Sequence, residues 1–376
     1  FLQSLSVGSA SSLFAAAACW DEACEGLERA HGRPGVPVIA ACIALAQIRS
    51  TSLSELITAV VTGYEIGGRL GEVLRIAPGM HVDGTWSGLG VAAAAVRLCG
   101  GDAAQAMTAV RIAACQMPYT LYLPVRTGAE TRNTYLAHSA QLGLLAANAA
   151  LAGLTAPEGA LEELRARALA GTAQTQRLAP AGEWMIAEAY LKPFAAVRHV
   201  HYGAAAALEL RPRIADRLAR VSGITLSIYA EALTYCAIRA PANAIQAQFS
   251  LSYGIARALA AGELGPTAYS REALEDALVR SLETKVELVE DIALTRAARR
   301  GARLTVEIDD ERFEHRVDRV IGDPALPMTH DQVVAKFVRY TGRTPQDAAW
   351  LLDSPRERGV RALLERYTAS DPANQP

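Results

Sequence analysis

The stretch Thr85-Trp-Ser-Gly-Leu-Gly-Val-Ala-Ala-Ala-Ala-Val-Arg-Leu-Cys99 predicts a buried helix. Its run of four alanines, Ala92 to Ala95, favours a helix over a strand. Gly100-Gly101 ends the helix, and Asp102 is a suitable N-cap for the next one. Two successive helices with so short a connection indicate an all-α core at this point of the chain.

The segments around this helix show the same periodicity. From about Val38 to Leu169, apolar residues recur at three and four positions rather than at two. Ser52-Leu-Ser-Glu55 is a capping box that begins a helix running through Leu74, and residues 133–152 predict another long helix. The first half of the chain is therefore predicted to be all-α.

The pattern changes after about Gly182. Residues 224–229 alternate apolar and polar side chains, which predicts a strand. Residues 303–308 and 312–317, separated by Asp309-Asp310, predict a β-hairpin. Helices are expected between these strands, over residues 243–261 and 271–283. This region is predicted to be α+β.

The tail returns to a helical pattern with three start signals. They are Thr329-His-Asp-Gln332, Thr344-Pro345 and Ser354-Pro-Arg-Glu357. A helical tail after a mixed insert suggests that the last segment rejoins the first domain. The fold class expected is mainly α, with a large all-helical domain, an inserted α+β domain and C-terminal helices that return to the helical domain.

Composition and charge narrow the function. The chain has 376 residues, of which 51% are hydrophobic, and its formal net charge is -2. This charge gives no basic footprint for nucleic acid. The longest apolar stretch, residues 140–154, is shorter than the roughly 18 residues of a membrane span, so no span is expected. Six cysteines without a CxxC pair suit a reducing compartment, and the cytoplasm is the expected location.

Three familiar motifs are not supported. The glycine-rich stretch Gly63 to Gly71 lies inside a helical pattern and matches no nucleotide-binding spacing, so close helix packing is the expected reason for it. His199-Val-His201 has no further ligand at a familiar metal spacing, and no metal site is expected. The G-x-S-x-G elbow of serine hydrolases does not occur.

Polar clusters stand at element junctions instead. Gly79-Met-His81-Val-Asp-Gly84-Thr85 is either a turn with an N-cap or a histidine and hydroxyl presented at a helix N-terminus, where anions bind. Arg126 and Arg132 stand in a second cluster that extends to Tyr135. They are either solvated or able to bind carboxylates.

A third cluster, Lys192-Pro-Phe-Ala-Ala-Val-Arg198-His199-Val-His201, is dense in cationic donors and lies where the pattern changes. Its alternatives are a surface patch at a domain boundary and a ligand site.

These clusters together resemble the MmgE/PrpD family, which includes 2-methylcitrate dehydratase, cis-aconitate decarboxylase and iminodisuccinate epimerase. Gly79 to Thr85 is similar to the family's G-x-H-x-x-G-T motif. Lys192-Pro-Phe with Arg198 and His201 resembles its K-P-Y-x-x-C-R-x-x-H motif, and Ala247-Gln-Phe-Ser-Leu-Ser-Tyr253 resembles its A-x-F-S-x-x-Y segment. The resemblance covers about residues 15–345.

The resemblance implies a helical domain over residues 1–190 and 327–376, interrupted by an α+β lid over residues 191–326. The active site then lies between the two. The resemblance also implies a small carboxylate as substrate, a homodimer, and no metal or organic cofactor. No nucleic-acid or membrane partner is expected.

The chain departs from the family pattern in one early stretch and again at Arg132. The family shows H-A-x-[DE]-x-D-D followed by H-P-G, whereas this chain has Cys19-Trp-Asp-Glu-Ala-Cys24-Glu and then Arg33-Pro-Gly. Glu22 and Glu25 are either the acids of this stretch or residues of a solvated helix. His31 stands two residues before Arg33, out of register with the family histidine, and a family lysine corresponds to Arg132.

The resemblance assigns candidate roles. Reactions of this family build negative charge next to a carboxylate, which cationic side chains stabilise and a positioned base initiates. The candidate catalytic residues are His81, Lys192, His201 and Tyr253. The candidate substrate-binding residues are Arg33, Thr85, Arg132, Tyr135 and Arg198.

Three functions follow from these assignments. The first is a cofactor-independent lyase, a dehydratase in preference to a decarboxylase. The second is an epimerase or isomerase that uses the same carbanion. The third is a catalytically silent member of the family, suggested by Cys19, Cys24 and Arg33 in place of family residues.

Overall fold

The computed structural model describes residues 5–168 and 178–368. This part of the chain contains eighteen α-helices and eight short strands, so the fold is mainly α as expected. The helices are α1 (Val7–Trp20), α2 (Gly35–Ala46), α3 (Leu53–Val73), α4 (Ser87–Leu98), α5 (Ala103–Cys115), α6 (Leu123–Thr127), α7 (Tyr135–Leu151), α8 (Ala160–Ala168), α9 (Val200–Ile214), α10 (Ala230–Cys236), α11 (Ala244–Gln248), α12 (Leu251–Ala261), α13 (Arg271–Glu275), α14 (Ala277–Thr284), α15 (Ile292–Arg296), α16 (His330–Thr341), α17 (Pro345–Leu352) and α18 (Val360–Thr368). The strands are β1 (Glu25–Leu27), β2 (Met80–His81), β3 (Thr120–Leu121), β4 (Ala189–Leu191), β5 (Val221–Ile228), β6 (Val286–Glu290), β7 (Ala302–Ile308) and β8 (Glu311–Val317).

Helix α4 lies at the centre of the helical part and packs against α3, α5 and α7. The capping box at Ser52 begins α3 and the one at Asp102 begins α5, as predicted. Helices α3 and α4 approach so closely that a Cβ on Gly90 would lie 2.4 Å from the carbonyl oxygen of Gly63. The glycine-rich stretch is therefore a packing surface, which confirms that prediction.

The helical part is not free of strands. Strands β1 and β4 pair antiparallel, and so do β2 and β3, each over two or three residues. Both pairs join segments that are distant in sequence, and strands this short give no periodic signal. They hold His81 next to Thr120, and Glu25 next to Leu191.

Strands β5 to β8 form one sheet in the order β6-β5-β7-β8. Strand β6 is parallel to β5, whereas β5–β7 and the predicted hairpin β7–β8 are antiparallel. Both predicted helices of this region are broken in two. Ser250 caps α12 and Asp276 caps α14, since their side chains accept hydrogen bonds from backbone N–H groups.

The tail confirms two of its three start signals. Thr329 and Thr344 both form capping boxes, for α16 and α17. The third prediction was wrong, because α18 begins at Val360 and not after Ser354. The Ser354 hydroxyl instead donates back to the carbonyl of Trp350, 2.7 Å away, and so closes the preceding helix.

Buried hydrophobic side chains form two clusters. One draws on residues 15–185, and the other on residues 195–320 together with Val125. We propose on this basis that the helical domain and the lid meet near residue 190, and that the lid ends near residue 326.

The last helices contact the helical part. The N–H of Leu53 donates to the carbonyl of Arg358, and the N–H of Val360 donates to that of Thr51, both at 2.8 Å. Helix α18 packs against α2. Within the described ranges, no helix has the length and apolarity that a membrane crossing needs.

Candidate functional site

A cavity of about 230 Å³ lies between the two hydrophobic clusters. Its wall comes from the segment after α1, the turn between α3 and α4, the segment after β4, and single residues of the lid. A volume below the roughly 300 Å³ typical of small ligand pockets indicates a small ligand. The ionisable side chains of the wall are Glu22, Glu28, His31, Arg33, Arg75, His81, Asp83, Arg132, Lys192, Arg198, His199, Glu231 and Arg300, besides the tyrosines.

Glu22 is the centre of a fully buried ion network. One carboxylate oxygen lies 2.9 Å from Arg33 Nη1 and also contacts Arg132 Nη2, while the other lies 2.6 Å from Lys192 Nζ. The backbone of Glu22 is left-handed, with φ at 51°. Such strain in a residue other than glycine persists only where the surroundings enforce it. Here the contacts of one carboxylate with three cations hold the backbone in this conformation.

Arg33 joins this network to Asp83. Its Nη2 contacts Asp83 Oδ2, and its Nη groups donate to the Cys19 and Cys24 thiols at 3.3 and 3.1 Å. Burial opposes ionisation of both groups, but each favours the ionised form of the other. Asp83 holds the pKa of Arg33 well above its usual value, and Arg33 lowers the pKa of Asp83. The pair is fully ionised.

Arg132 stands in the short 3-10 helix before α7 and is 1% exposed. Its Nη1 donates to Asn133 Oδ1 at 2.9 Å and to the Cys19 thiol at 3.1 Å. The ring of Phe249 covers the guanidinium at 5.3 Å. These contacts fix the plane of the group, which favours recognition of a carboxylate in one orientation.

Lys192 follows β4 and reaches the network from a segment 170 residues after Glu22. Its side chain is nearly inaccessible to solvent, and burial lowers its pKa. The nearby Arg33 and Arg132 act in the same direction. A lowered pKa makes the amine form of the lysine, which can accept a proton, easier to reach.

His81 lies at the end of β2. Its Nδ1 accepts a hydrogen bond from the N–H of Asp83 at 3.0 Å, which assigns the proton of the neutral ring to Nε2. The ring of Tyr122 stacks on it at 5.7 Å, and that of Tyr135 meets it edge-on. Burial lowers the pKa of His81, so the ring is a neutral hydrogen-bond donor at pH 7.

Four of the sequence-predicted residues do not line the cavity. Thr85 donates to Val82 O, Tyr135 to Leu121 O, and Tyr253 to Ala268 O, while His201 is hydrogen-bonded to the carbonyl of Ala196. Thr85 and Tyr135 support the His81 turn, because one closes it and the other touches its ring. His201 and Tyr253 are buried in the cluster that contains the lid sheet.

The other five predicted residues are brought together. Arg33, His81, Arg132, Lys192 and Arg198 all line the cavity. Arg198 is held by an ion pair with Asp323 and lies over the rings of Tyr190 and Tyr202.

Several wall residues are not among the site residues assigned from the sequence, although Glu22, His31 and His199 stand in the motifs discussed above. Asp83 and Glu22 anchor the cations, and His31, Arg75 and Arg300 form the more exposed part of the wall. The position of Glu22 at the family's acidic residue was the one signal that pointed to it. His199 also lines the cavity, with Nδ1 2.6 Å from the hydroxyl of Tyr229. The resemblance points to its neighbour His201 instead, which does not line the cavity.

The charges of the wall favour an anion. Six cationic side chains face four carboxylates, and in the most buried part Arg33, Arg132 and Lys192 face only Glu22 and Asp83. An unpaired excess of positive charge away from water attracts a carboxylate strongly. In the described segments, no three His, Cys, Asp or Glu side chains come together in a way that could hold a metal ion.

Two family models match the chain. Residues 2–175 match the MmgE/PrpD N-terminal domain, and residues 194–351 match the MmgE/PrpD C-terminal domain. Residues 176–193 lie between the two matches, and the change from one hydrophobic cluster to the other falls close to the end of this gap. A comparison with curated proteins found no match.

Proposed function

The chain belongs to the MmgE/PrpD family, and we propose that it is a cofactor-independent lyase that removes water from a small hydroxycarboxylate. The family is of dehydratase or lyase type, which supports the general class. The observation that carries the proposal is the contact of Lys192 with Glu22 in a buried wall with excess positive charge. Such a wall binds a carboxylate and stabilises the charge that develops next to it.

Substrate binding rests on Arg33 and Arg132. Their guanidinium planes are fixed by Asp83, Glu22 and Phe249, so little side-chain entropy is lost when a carboxylate binds. In this account Arg198 is a further donor at the side of the lid. A neutral substrate would displace water from around these cations without offering them a negative charge, so the cavity favours an anionic substrate.

Lys192 is the proposed base. The substrate carboxylate binds while Lys192 is an ammonium ion, and Lys192 then loses that proton to solvent. Its amine form removes the proton from the carbon next to the substrate carboxylate, and the electron pair is delocalised into that carboxylate beside the two guanidiniums. The C–O bond of the neighbouring hydroxyl then breaks. The ammonium of Lys192 returns its proton to the departing hydroxide, so water leaves and a carbon–carbon double bond remains.

His81 is proposed as the electrophile. Its Nε2–H donates to the departing oxygen, because Nδ1 is occupied by the N–H of Asp83. A neutral imidazole can stabilise a developing oxyanion through this hydrogen bond. Thr85 and Tyr135 are positioning residues in this account, because they fix the turn and the ring.

A specific observation favours the silent alternative. Glu22 already contacts all three buried cations, so a protein carboxylate stands where a substrate carboxylate would bind. The wall would then stabilise the fold or bind another anion without reaction. An epimerase is the other alternative, since it starts with the same proton removal and ends with reprotonation.

Proton NMR in D2O separates these functions. The protein is incubated with citrate, malate and a panel of β-hydroxy acids. Loss of an α-proton signal together with a new vinylic resonance supports the lyase. Loss of the signal without a new product indicates an epimerase, and no exchange with any compound favours the silent protein.

A further inference from the structure

We propose that Arg75 is a specificity-determining residue that binds a second carboxylate of the substrate. This inference rests on the proposed function, because it assumes that a carboxylate occupies the deep wall of Arg33, Arg132 and Lys192. Arg75 directly follows the last residues of α3 and lines the same cavity. Its Nη1 is buried and has no hydrogen-bond partner.

Arg75 differs from the other cations of the wall in its lack of a carboxylate partner among the described residues. Arg33, Arg132 and Lys192 contact Glu22, and Arg198 contacts Asp323. Arg300 lies 3.5 Å from Glu231 and 3.7 Å from Glu28. Throughout residues 5–168 and 178–368, no carboxylate lies within 4 Å of the Arg75 guanidinium.

The acidic groups that act on Arg75 are already engaged. Glu72, three residues earlier, is bound by Arg29 through two hydrogen bonds of 2.9 and 3.1 Å. Glu231 is paired with Arg300. A buried guanidinium N–H without a partner costs free energy, which a ligand oxygen would recover.

Arg75 lies in a less buried part of the cavity than the deep wall. The His31 side chain beside it is 51% exposed, whereas Arg132 and Lys192 are 1% and 2% exposed. Burial and the charges of Arg75 and Arg300 lower the pKa of His31 to about 4. His31 is therefore uncharged at neutral pH and leaves Arg75 as the cation that can bind an anion there.

A substrate that uses both places carries two carboxylates. One binds the deep wall next to the reacting carbon, and the other is directed towards Arg75. The ligand class is thus a small dicarboxylate or tricarboxylate, and a monocarboxylate of equal length would forgo one charge-assisted contact.

Isothermal titration calorimetry tests this assignment. The protein is titrated with succinate, glutarate and tricarballylate, and with butyrate and valerate as monocarboxylate counterparts. We expect at least one polycarboxylate to bind about tenfold or more tightly than its counterpart, the effect of one hydrogen bond to a charged group. Arg75→Gln should remove this preference and leave the affinity for the monocarboxylate within about twofold, since that ligand does not reach Arg75.

Two further variants complete the test. Arg75→Lys keeps the charge and should retain part of the preference. Arg271→Gln makes the same chemical change on an exposed residue outside the cavity and should bind like the unchanged protein. The proposal is overturned if the unchanged protein shows no preference, or if Arg75→Gln keeps it.

The result is separable from the lyase proposal. Binding that depends on Arg75 without any exchange of an α-proton would support the subsite and contradict the lyase. Turnover of a hydroxycarboxylate with equal kcat/KM in the unchanged protein and Arg75→Gln would support the lyase and overturn the subsite.

Discussion

Glu22 Oε2 lies 2.6 Å from Lys192 Nζ, across 170 residues of sequence. The contact joins the segment after α1 to the segment after β4, and both segments line the cavity. Glu22 adopts a left-handed backbone to reach it. One buried contact thus links the proposed base to the carboxylate that organises both arginines.

Glu22→Gln removes the negative charge that three buried cations share. We expect the free energy of unfolding to fall by about 3–5 kcal/mol, because a buried ion that loses its partner is strongly destabilising. Urea unfolding followed by circular dichroism measures this change. A loss below about 1 kcal/mol would show that the three cations are compensated without Glu22.

Glu25→Gln makes the same chemical change as Glu22→Gln three residues away and serves as its control. We expect the effect of Glu25→Gln on stability to depend on pH. Burial raises the pKa of Glu25 to about 7, so the folded protein keeps a proton here that the unfolded chain loses above its ordinary pKa of 4.5. The contribution of Glu25 to stability is therefore complete below about pH 4.5 and is lost as the pH rises through 7.

The Glu25→Gln variant cannot lose that proton. Its unfolding free energy relative to the unchanged protein should increase between pH 4.5 and pH 8, as followed by urea titrations at several pH values. A difference that stays constant across this range would contradict the assignment of a protonated Glu25.

His81 variants test whether its ring donates or accepts the proton. His81→Gln keeps an N–H donor at similar reach, whereas His81→Ala does not. If the ring acts as a hydrogen-bond donor, His81→Ala should lower kcat about 100- to 1,000-fold and His81→Gln clearly less. Equal losses in both variants, measured on whichever substrate the NMR panel yields, would assign His81 to the proton transfer itself.

Gly71 tests the apolar side of the cavity. A Cβ at this position would lie 2.6 Å from the Trp86 ring, so Gly71→Ala should cost about 1–3 kcal/mol through overpacking. Gly8→Ala is the control within another helix, where the nearest outside atom is 3.9 Å away. Gly8→Ala should be neutral or stabilising. Equal unfolding midpoints for the two variants would contradict the packing described for Trp86.

Periodicity predicted the fold where elements are long. The helices from 53 to 73 and from 87 to 98, and the hairpin of β7 and β8, follow from local patterns and caps. The strands β1 to β4 could not be predicted, because pairs of two or three residues depend on tertiary contacts. The role of Ser354 could not be predicted either. Its hydroxyl could cap a following helix or bond back to the preceding one, and the structure shows the second.

The site was predictable in part. Motif resemblance brought out Arg33, His81, Arg132, Lys192 and Arg198, all of which line the cavity. It favoured His201 over His199, whereas His199 lines the cavity, because the two stand two residues apart and only the fold determines which of them faces it. Arg75 belongs to no motif, and its missing partner is a property of three-dimensional packing.

Lys192→Met provides the most direct measurement. Methionine fills a similar volume without a titratable group, and the unchanged protein and the variant are compared by proton NMR in D2O with the same panel of hydroxycarboxylates. We expect the unchanged protein to remove an α-proton and form a vinylic product, and Lys192→Met, still folded by circular dichroism, to do neither. A folded Lys192→Met protein that forms the vinylic product at an unchanged rate would contradict the role of Lys192 as the base.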